Sequence, residues 1–389
     1  LGEFISGWSY WLSAWLGNIA FATMLMSSIG TFFPTFKGGQ NLPSIIIAII
    51  FCWLLTILVN NGVESASFVN MIGTICKVLP LVIFIIMMVV CFKAGMFTAD
   101  FWGRVANNAS HGTTTGSVWE QMKGTLMTLI WVFIGVEGAS VMASRAKSLT
   151  AAREASLISF GLLVVIYVLI SILPYGALTR AELAGMGQPA IGHVLQATVG
   201  SWGSILINVG LIISTIVSWL SWTMLPAETT MLVADDKAMP KIWGKVNAKK
   251  APTVSLMITA VLQTIFLFSL LFTDKAYEFA YSLCSAAILF SYLFVGLYQM
   301  KYSSAHQEWG QFTIGLLSAA FMFACMFLAG WQEVLLVSIS FIPGFYIYYL
   351  ACKENNRKVT TAEKWTMALI LILSVIAIWL VANVSIAIG

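Results

Sequence analysis

WVFIGVEGA, Trp131 to Ala139, lies inside an apolar run long enough to cross a bilayer, yet it carries the carboxylate of Glu137 between Gly135 and Gly138. Glycine weakens a helix, and an acid is costly in lipid. Two readings follow. Small residues let neighbouring helices approach closely. Alternatively the helix is interrupted here, as in transporters that bind solutes with free backbone groups near the bilayer midplane. Trp131 favours the second reading, because an indole face holds organic cations. An aromatic ring, a broken backbone and an acid on adjacent turns suit an amine-bearing, cationic solute.

The rest of the chain supports a membrane setting. Of 389 residues, 59% are hydrophobic and 9% are charged, against roughly 45–50% and about 25% in soluble domains. Eleven runs are long and apolar enough to cross a bilayer: approximately 6–34, 43–60, 67–92, 122–143, 155–178, 201–232, 253–273, 277–300, 311–329, 331–351 and 366–387. Each must be helical in lipid, where the backbone has to satisfy its own hydrogen bonds. The runs are continuous and not alternating, which excludes a β-barrel. The fold class is therefore an all-α polytopic membrane protein. Pro80, Pro174, Pro226 and Pro343 lie in or near spans, where kinks are expected.

Lys and Arg in the loops set the orientation. One side carries thirteen: Arg145, Lys147, Arg153, Lys237, Lys241, Lys245, Lys249, Lys250, Lys301, Lys353, Arg357, Lys358 and Lys364. The other carries six: Lys37, Lys93, Arg104, Lys123, Arg180 and Lys275. The first side reads as cytoplasmic, so the chain starts inside and ends outside. Two connections are long. Residues 93–121 form a Gly-, Thr-, Asn- and Ser-rich outer loop, with a sequon at Asn108. Residues 233–252 form a basic inner loop, either plain or holding a short interfacial helix. The opening at Leu1 without an initiator Met reads as an N-terminal truncation, with no secretory leader.

The six cysteines, Cys52, Cys76, Cys91, Cys284, Cys325 and Cys352, lie in or at the ends of apolar runs and are expected to be buried thiols. The three histidines fall in separate loops, so no metal cluster is expected. Walker A, GxSxG, HExxH and CxxC patterns are absent, as is an Arg-rich span or a TVGYG-like filter. ATP-driven pumping, hydrolase chemistry, voltage sensing and potassium conduction are thus excluded as readings. No Lys/Arg-rich run is interleaved with aromatics, so nucleic acid is not an expected partner.

Two further intramembrane polar groups stand out. Lys77 lies about ten residues into the third run, roughly 15 Å deep. Asn18, in WLGN, lies midway along the first. Each reads either as a functional group or as a structural contact with a neighbouring helix. WLSAW at 11–15 also has a faint echo in WLSW at 219–222.

GWSYWLSAWLGNIA (7–20), WVFIGVEGASV (131–141) and SWTMLPAETTMLVADDKAMP (221–240) together resemble the basic amino acid/polyamine antiporters of the amino acid–polyamine–organocation superfamily, most closely its arginine–ornithine antiporters. The resemblance covers essentially the whole chain. It implies two inverted five-helix repeats plus extra helices in a single transporter domain. Residues 1–92 would be the remainder of the first repeat, 122–300 the second and 311–389 the extra helices. Eleven of about thirteen helices would be present. The family's broken first helix is not in this sequence, which leaves a non-transporting sensor or partner subunit as an alternative.

The resemblance also implies residue roles. Trp131 would be the aromatic gate over the bound cation. Ile134 would flank the substrate's aliphatic part, and Gly135 would lie in the unwound segment. Asn18 would contact the head group, with Ala14 and Phe21 on the same face. Trp222 would line the far wall, and Ser282 and Ser285 would lie near the site. Glu137 would couple occupancy to the inner gate. Lys77 would stand where relatives hold sodium. The implied activity is exchange of arginine for ornithine, with arginine–agmatine or lysine–cadaverine exchange as siblings. It is not an enzyme activity. The implied partners are small cationic amino acids and the lipid bilayer of the cell membrane. No cofactor is implied, and a homodimer is compatible with the resemblance.

Overall fold

The computed structural model describes residues 1–99, 101, 117–138, 148–272, 276–328 and 330–383. It is helical, with no strand among the described residues. The helices in chain order are α1 (Gly2–Gly30), α2 (Leu42–Asn60), α3 (Val63–Cys91), α4 (Ala94–Ala99) and α5 (Val118–Phe133). There follow α6 (Leu149–Ile172), α7 (Arg180–Ala184), α8 (Ala190–Val199), α9 (Ser201–Asp235) and α10 (Thr253–Ser269). The last five are α11 (Ala276–Ala305), α12 (Trp309–Leu328), α13 (Trp331–Ile339), α14 (Phe341–Glu354) and α15 (Thr361–Ala382).

Among the described residues, eight helices are long and apolar enough to cross a membrane: α1, α2, α6, α9, α10, α11, α12 and α15. The pair α13 and α14, bent by 45°, makes a ninth if it is one span. The other two expected spans are also helical but less regular. The 67–92 run is α3, of which Cys76–Cys91 is a shorter apolar helix. The 122–143 run begins as α5 and breaks after Phe133. Its last residues, those of the 366–387 run, Asn108 and most of the outer loop lie outside the described residues.

Helix ends follow local chemistry. Ser117 and Glu120, Thr179 and Glu182, and Thr360 and Glu363 form reciprocal capping boxes at the starts of α5, α7 and α15. Each satisfies two amides that would otherwise lack partners. Asn41 caps α2 by accepting the Ser44 amide at 3.0 Å. Proline explains the bend at Ser340. Pro343 has no N–H to give the Ile339 carbonyl, so the helical ladder cannot continue through that point.

α1 is the centre of the molecule, packed along α9 and α11, and it buries polar Ser9, Ser13 and Asn18 completely. α6 buries no residue fully, so its apolar surface faces outward. Polar contacts tie α10 to its neighbours. The Trp11 indole donates to Thr259 Oγ1 at 2.8 Å, the Cys52 thiol to Gln263 Oε1 at 2.9 Å, and Thr230 Oγ1 to Ser255 Oγ at 2.7 Å. Ser255, Thr259 and Gln263 recur every four residues and so share one face of α10. Interhelical hydrogen bonds of this kind contribute roughly 0.6 kcal/mol each in a membrane.

All six cysteines are free. Four are buried as expected, but Cys91 is half-buried and Cys76 is exposed on α3. An apolar run buries a thiol only on its protein-facing side.

Candidate functional site

The site forms where α5 ends. Helical bonding stops at Phe133, Ile134 is extended (φ −63°, ψ 131°), and turns carry the chain through Glu137. Gly135 has φ +109°, a region that residues with a Cβ avoid. A Cβ there would also lie 3.1 Å from Trp222 Cζ2. The glycine is thus required twice, by the backbone turn and by the indole against it. The Gly135 amide, released from the helix, donates to Glu137 Oε2 at 2.9 Å.

A second donor reaches the same oxygen: the Tyr292 hydroxyl of α11, at 2.8 Å. The Tyr10 hydroxyl of α1 faces this carboxylate too, outside hydrogen-bonding geometry. Glu137 Oε1 and the Tyr10 hydroxyl are both buried without a partner. The acid is therefore bonded from two elements, the broken end of α5 and α11, and faces a third, α1.

Trp131 stands one helical turn before the break, half-buried. Its ring lies 5.5 Å from Phe21 on α1 and 6.3 Å from Tyr281 on α11. A methyl at Gly17 would meet Trp131 Cζ3 at 3.1 Å and Cys284 Sγ at 3.3 Å. Gly17 therefore leaves the space that the indole occupies. Tyr10, Ala14, Gly17, Asn18 and Phe21 recur at helical spacing and form one stripe of α1 facing the break.

Asn18 is explained by proline chemistry. Pro226 sits inside α9 and has no amide for the carbonyl four residues earlier, Trp222 O. Asn18 Nδ2 donates to that carbonyl at 3.1 Å. Its Oδ1 is buried and unpaired. Trp222 itself stacks on Tyr10 at 6.2 Å, so it is part of the same wall.

The structure thus brings together Trp131, Ile134, Gly135, Glu137, Asn18, Ala14, Phe21 and Trp222. Ser285 lies on the adjoining helix, but its hydroxyl contacts the Met127 and Tyr281 carbonyls at 3.0 and 2.8 Å. It ties α11 to α5. Ser282 is half-buried. Between them, Cys284 Sγ meets Ser13 Oγ at 3.2 Å, fully buried beside Trp131. Lys77 lies apart, half-buried on α3 between Gly73, which meets Val217, and Pro80, which meets Gly210. That stripe faces α9, and no described contact joins it to Glu137.

Sequence reasoning missed Tyr10, Tyr292, Ser13, Gly17 and Cys284. Tyr10 and Ser13 were readable from the α1 stripe that contains Ala14 and Asn18. Tyr292 lies 155 positions from its partner, and nothing local in FSYLF marks it. No group of three or more His, Cys, Asp or Glu suited to a metal occurs among the described residues.

Comparison with known proteins places the sequence in a family. The amino acid permease family model matches residues 2–387. An arginine/ornithine antiporter of Latilactobacillus sakei is 49% identical over 99% of this chain and 82% of its own length. One of Lactococcus lactis subsp. cremoris is 42% identical over 97% of this chain and 74% of its own length. An arginine/agmatine antiporter of Chlamydia felis is 36% identical over 96% and 79%. With a multi-pass helical architecture, an interrupted helix at its centre and a family match over nearly every residue, the chain belongs to the amino acid permease family.

Proposed function

We propose that the protein is a membrane antiporter exchanging arginine for ornithine by alternating access, with the site at the broken end of α5. The observation that carries this reading is chemical. Glu137 Oε1 and Asn18 Oδ1 are buried without a hydrogen-bond partner around one interrupted helix, beside the Trp131 indole, and the Tyr10 hydroxyl faces the carboxylate. Each unpaired group costs about 1–3 kcal/mol. A guanidinium or ammonium supplies donors for the two carbonyl-type oxygens and a cation for the indole face.

Obligatory exchange follows from the same groups. An occupied site crosses with its polar atoms satisfied; an empty one crosses with them exposed to an apolar interior. Arginine and ornithine carry the same net charge at neutral pH, so exchange needs neither ATP nor an ion gradient. Trp131 caps the cation. Glu137, bonded to Tyr292, links occupancy to α11 and so to the inner side. Lys77 sits on α3 as a fixed positive charge in place of a coupling cation.

The wider reading has eleven spans in two inverted repeats plus extra helices, with the Leu1 end of α1 cytoplasmic and Gly389 outside. Loop charge supports the orientation. The buried Trp11 and Trp219 of the WLSAW and WLSW echoes, on helices that pack together, support the repeat. A homodimer fits an outer surface built from apolar helices.

The arginine/agmatine relatives favour a sibling reading on the same fold. None of the relatives supports a sensor. Competition decides between the pairs. Ornithine is expected to compete with labelled arginine at least ten times better than agmatine or cadaverine does; the reverse order assigns the sibling pair. Trp131→Leu and Glu137→Gln are each expected to impair exchange. Wild-type kinetics in both would remove this site.

A further inference from the structure

The loop joining α9 to α10 carries chemistry that the transport site does not use. Residues 237–252 contain Lys237, Lys241, Lys245, Lys249 and Lys250 and no acid. All five lysines are exposed. A run of like charges is usually a solvated, loosely held segment. This one is fastened down. Trp243 is buried edge-on against Trp11 of α1, with ring centroids 5.6 Å apart, and Met239 and Ala251 are fully buried. Asn247 Nδ2 donates to the Asn60 carbonyl at 2.7 Å, while its Oδ1 accepts the Lys249 and Ala251 amides at 2.8 and 3.1 Å. The Lys241 amide donates to Glu354 Oε2 at 2.9 Å.

Two details show that charge and not flexibility is retained. Lys237 (φ 66°) and Lys250 (φ 59°) occupy left-handed backbone, where glycine or asparagine fits at lower cost. Their side chains are exposed, so packing does not require a lysine at either place. Between the lysines, Ile242 and Val246 are each 48% exposed. The acids facing the loop are Asp235 and Asp236 at its start, with Glu3 of α1 against Asp236, and Glu354, which already accepts a backbone amide. The balance stays positive. Both flanking helices are long and apolar enough to cross a membrane, so the loop stands at the bilayer boundary.

We propose that residues 237–252 form a rigid platform that binds the phosphate headgroups of anionic phospholipids in the surrounding leaflet, with Ile242 and Val246 seated among the upper acyl chains. Lysines beside an anionic surface each add roughly five-fold in affinity. Trp243 carries the contact inward, because it touches the helix that holds Ser13, Ala14 and Asn18.

The test reads lipid retention directly and does not require transport. The purified protein is equilibrated with equal phosphatidylglycerol and phosphatidylcholine, and bound lipid is counted by native mass spectrometry. Wild type is expected to retain phosphatidylglycerol preferentially. Lys241→Gln/Lys245→Gln/Lys249→Gln is expected to lose at least ten-fold of that preference, and the matching Lys→Arg triple to keep it. Equal retention of both lipids by wild type, or an unchanged preference in the Gln triple, overturns the proposal. Displacement of the retained lipid by millimolar inorganic phosphate overturns the assignment to lipid. Arginine exchange in neutral vesicles, intact in the Gln triple, separates this result from any failure of the transport reading.

Discussion

Replacing Tyr292 with Phe removes one hydroxyl and leaves the ring. The hydroxyl donates to Glu137 Oε2 at 2.8 Å and lies on α11, 155 positions from the acid. Among the described residues the Gly135 amide also donates to this oxygen, at 2.9 Å, and the Tyr10 hydroxyl faces the carboxylate. A hydrogen bond to a carboxylate contributes about 1.5–3 kcal/mol, because the acid loses a charge-assisted partner in a dry setting. If that bond holds the acid in the arrangement from which the site changes access, exchange slows by roughly ten- to 150-fold. The Trp131 face is untouched, so the KM for arginine should move less than three-fold. The assay is initial-rate arginine uptake into ornithine-loaded proteoliposomes over a range of arginine concentrations. Glu137→Gln and the double variant complete a cycle. The double should be little worse than Glu137→Gln alone, because the acid and the hydroxyl act as one unit. Additivity within about 0.5 kcal/mol, or wild-type turnover in Tyr292→Phe, refutes the reasoning.

Other positions give separate outcomes. Gly135→Ala places a Cβ at φ +109° and 3.1 Å from the Trp222 ring. It should cost roughly 1–3 kcal/mol, visible as a lowered melting temperature in detergent together with loss of flux. Gly17→Ala should raise helix propensity by about 1 kcal/mol yet push the Trp131 ring. A melting temperature at or above wild type with a KM for arginine raised at least five-fold would mark Gly17 as a positioning residue. Pro226→Ala returns an amide to the Trp222 carbonyl and so competes with Asn18. Its effect on arginine affinity should overlap with that of Asn18→Ala in a double-mutant cycle, and independent effects would contradict the shared carbonyl.

The helical class was legible because lipid forces the backbone into helices, and among the described residues eight of the expected runs, or nine with the bent pair, are helices long and apolar enough to cross a membrane. WVFIGVEGA was legible for a related reason: an acid and glycines inside an apolar run have no cheap explanation. The charge pattern also marked the basic loop at 237–252, but not its packing, which depends on Trp243 reaching Trp11 from far along the chain. The partners of Glu137 were hidden. Tyr10 and Tyr292 are ordinary residues of apolar spans, and only the packing of α1 and α11 against the broken helix bonds Tyr292 to the acid and sets Tyr10 facing it. Ser282 and Ser285 depend on a helix register that the sequence leaves open. The family resemblance places them near the site, and the α11 register sets Ser285 against the α5 backbone and Cys284 against Ser13. Asn18 was recognised, but its reason was not, because it lies in a proline on another helix.

The central claim is exchange, and one measurement tests it most directly. The protein is reconstituted into vesicles loaded with ornithine or with buffer alone, and uptake of labelled external arginine is followed at fixed ionic composition with no ATP. The account predicts rapid uptake with internal ornithine, matched by ornithine release, and little uptake without it. Equal arginine uptake into both sets of vesicles would contradict it.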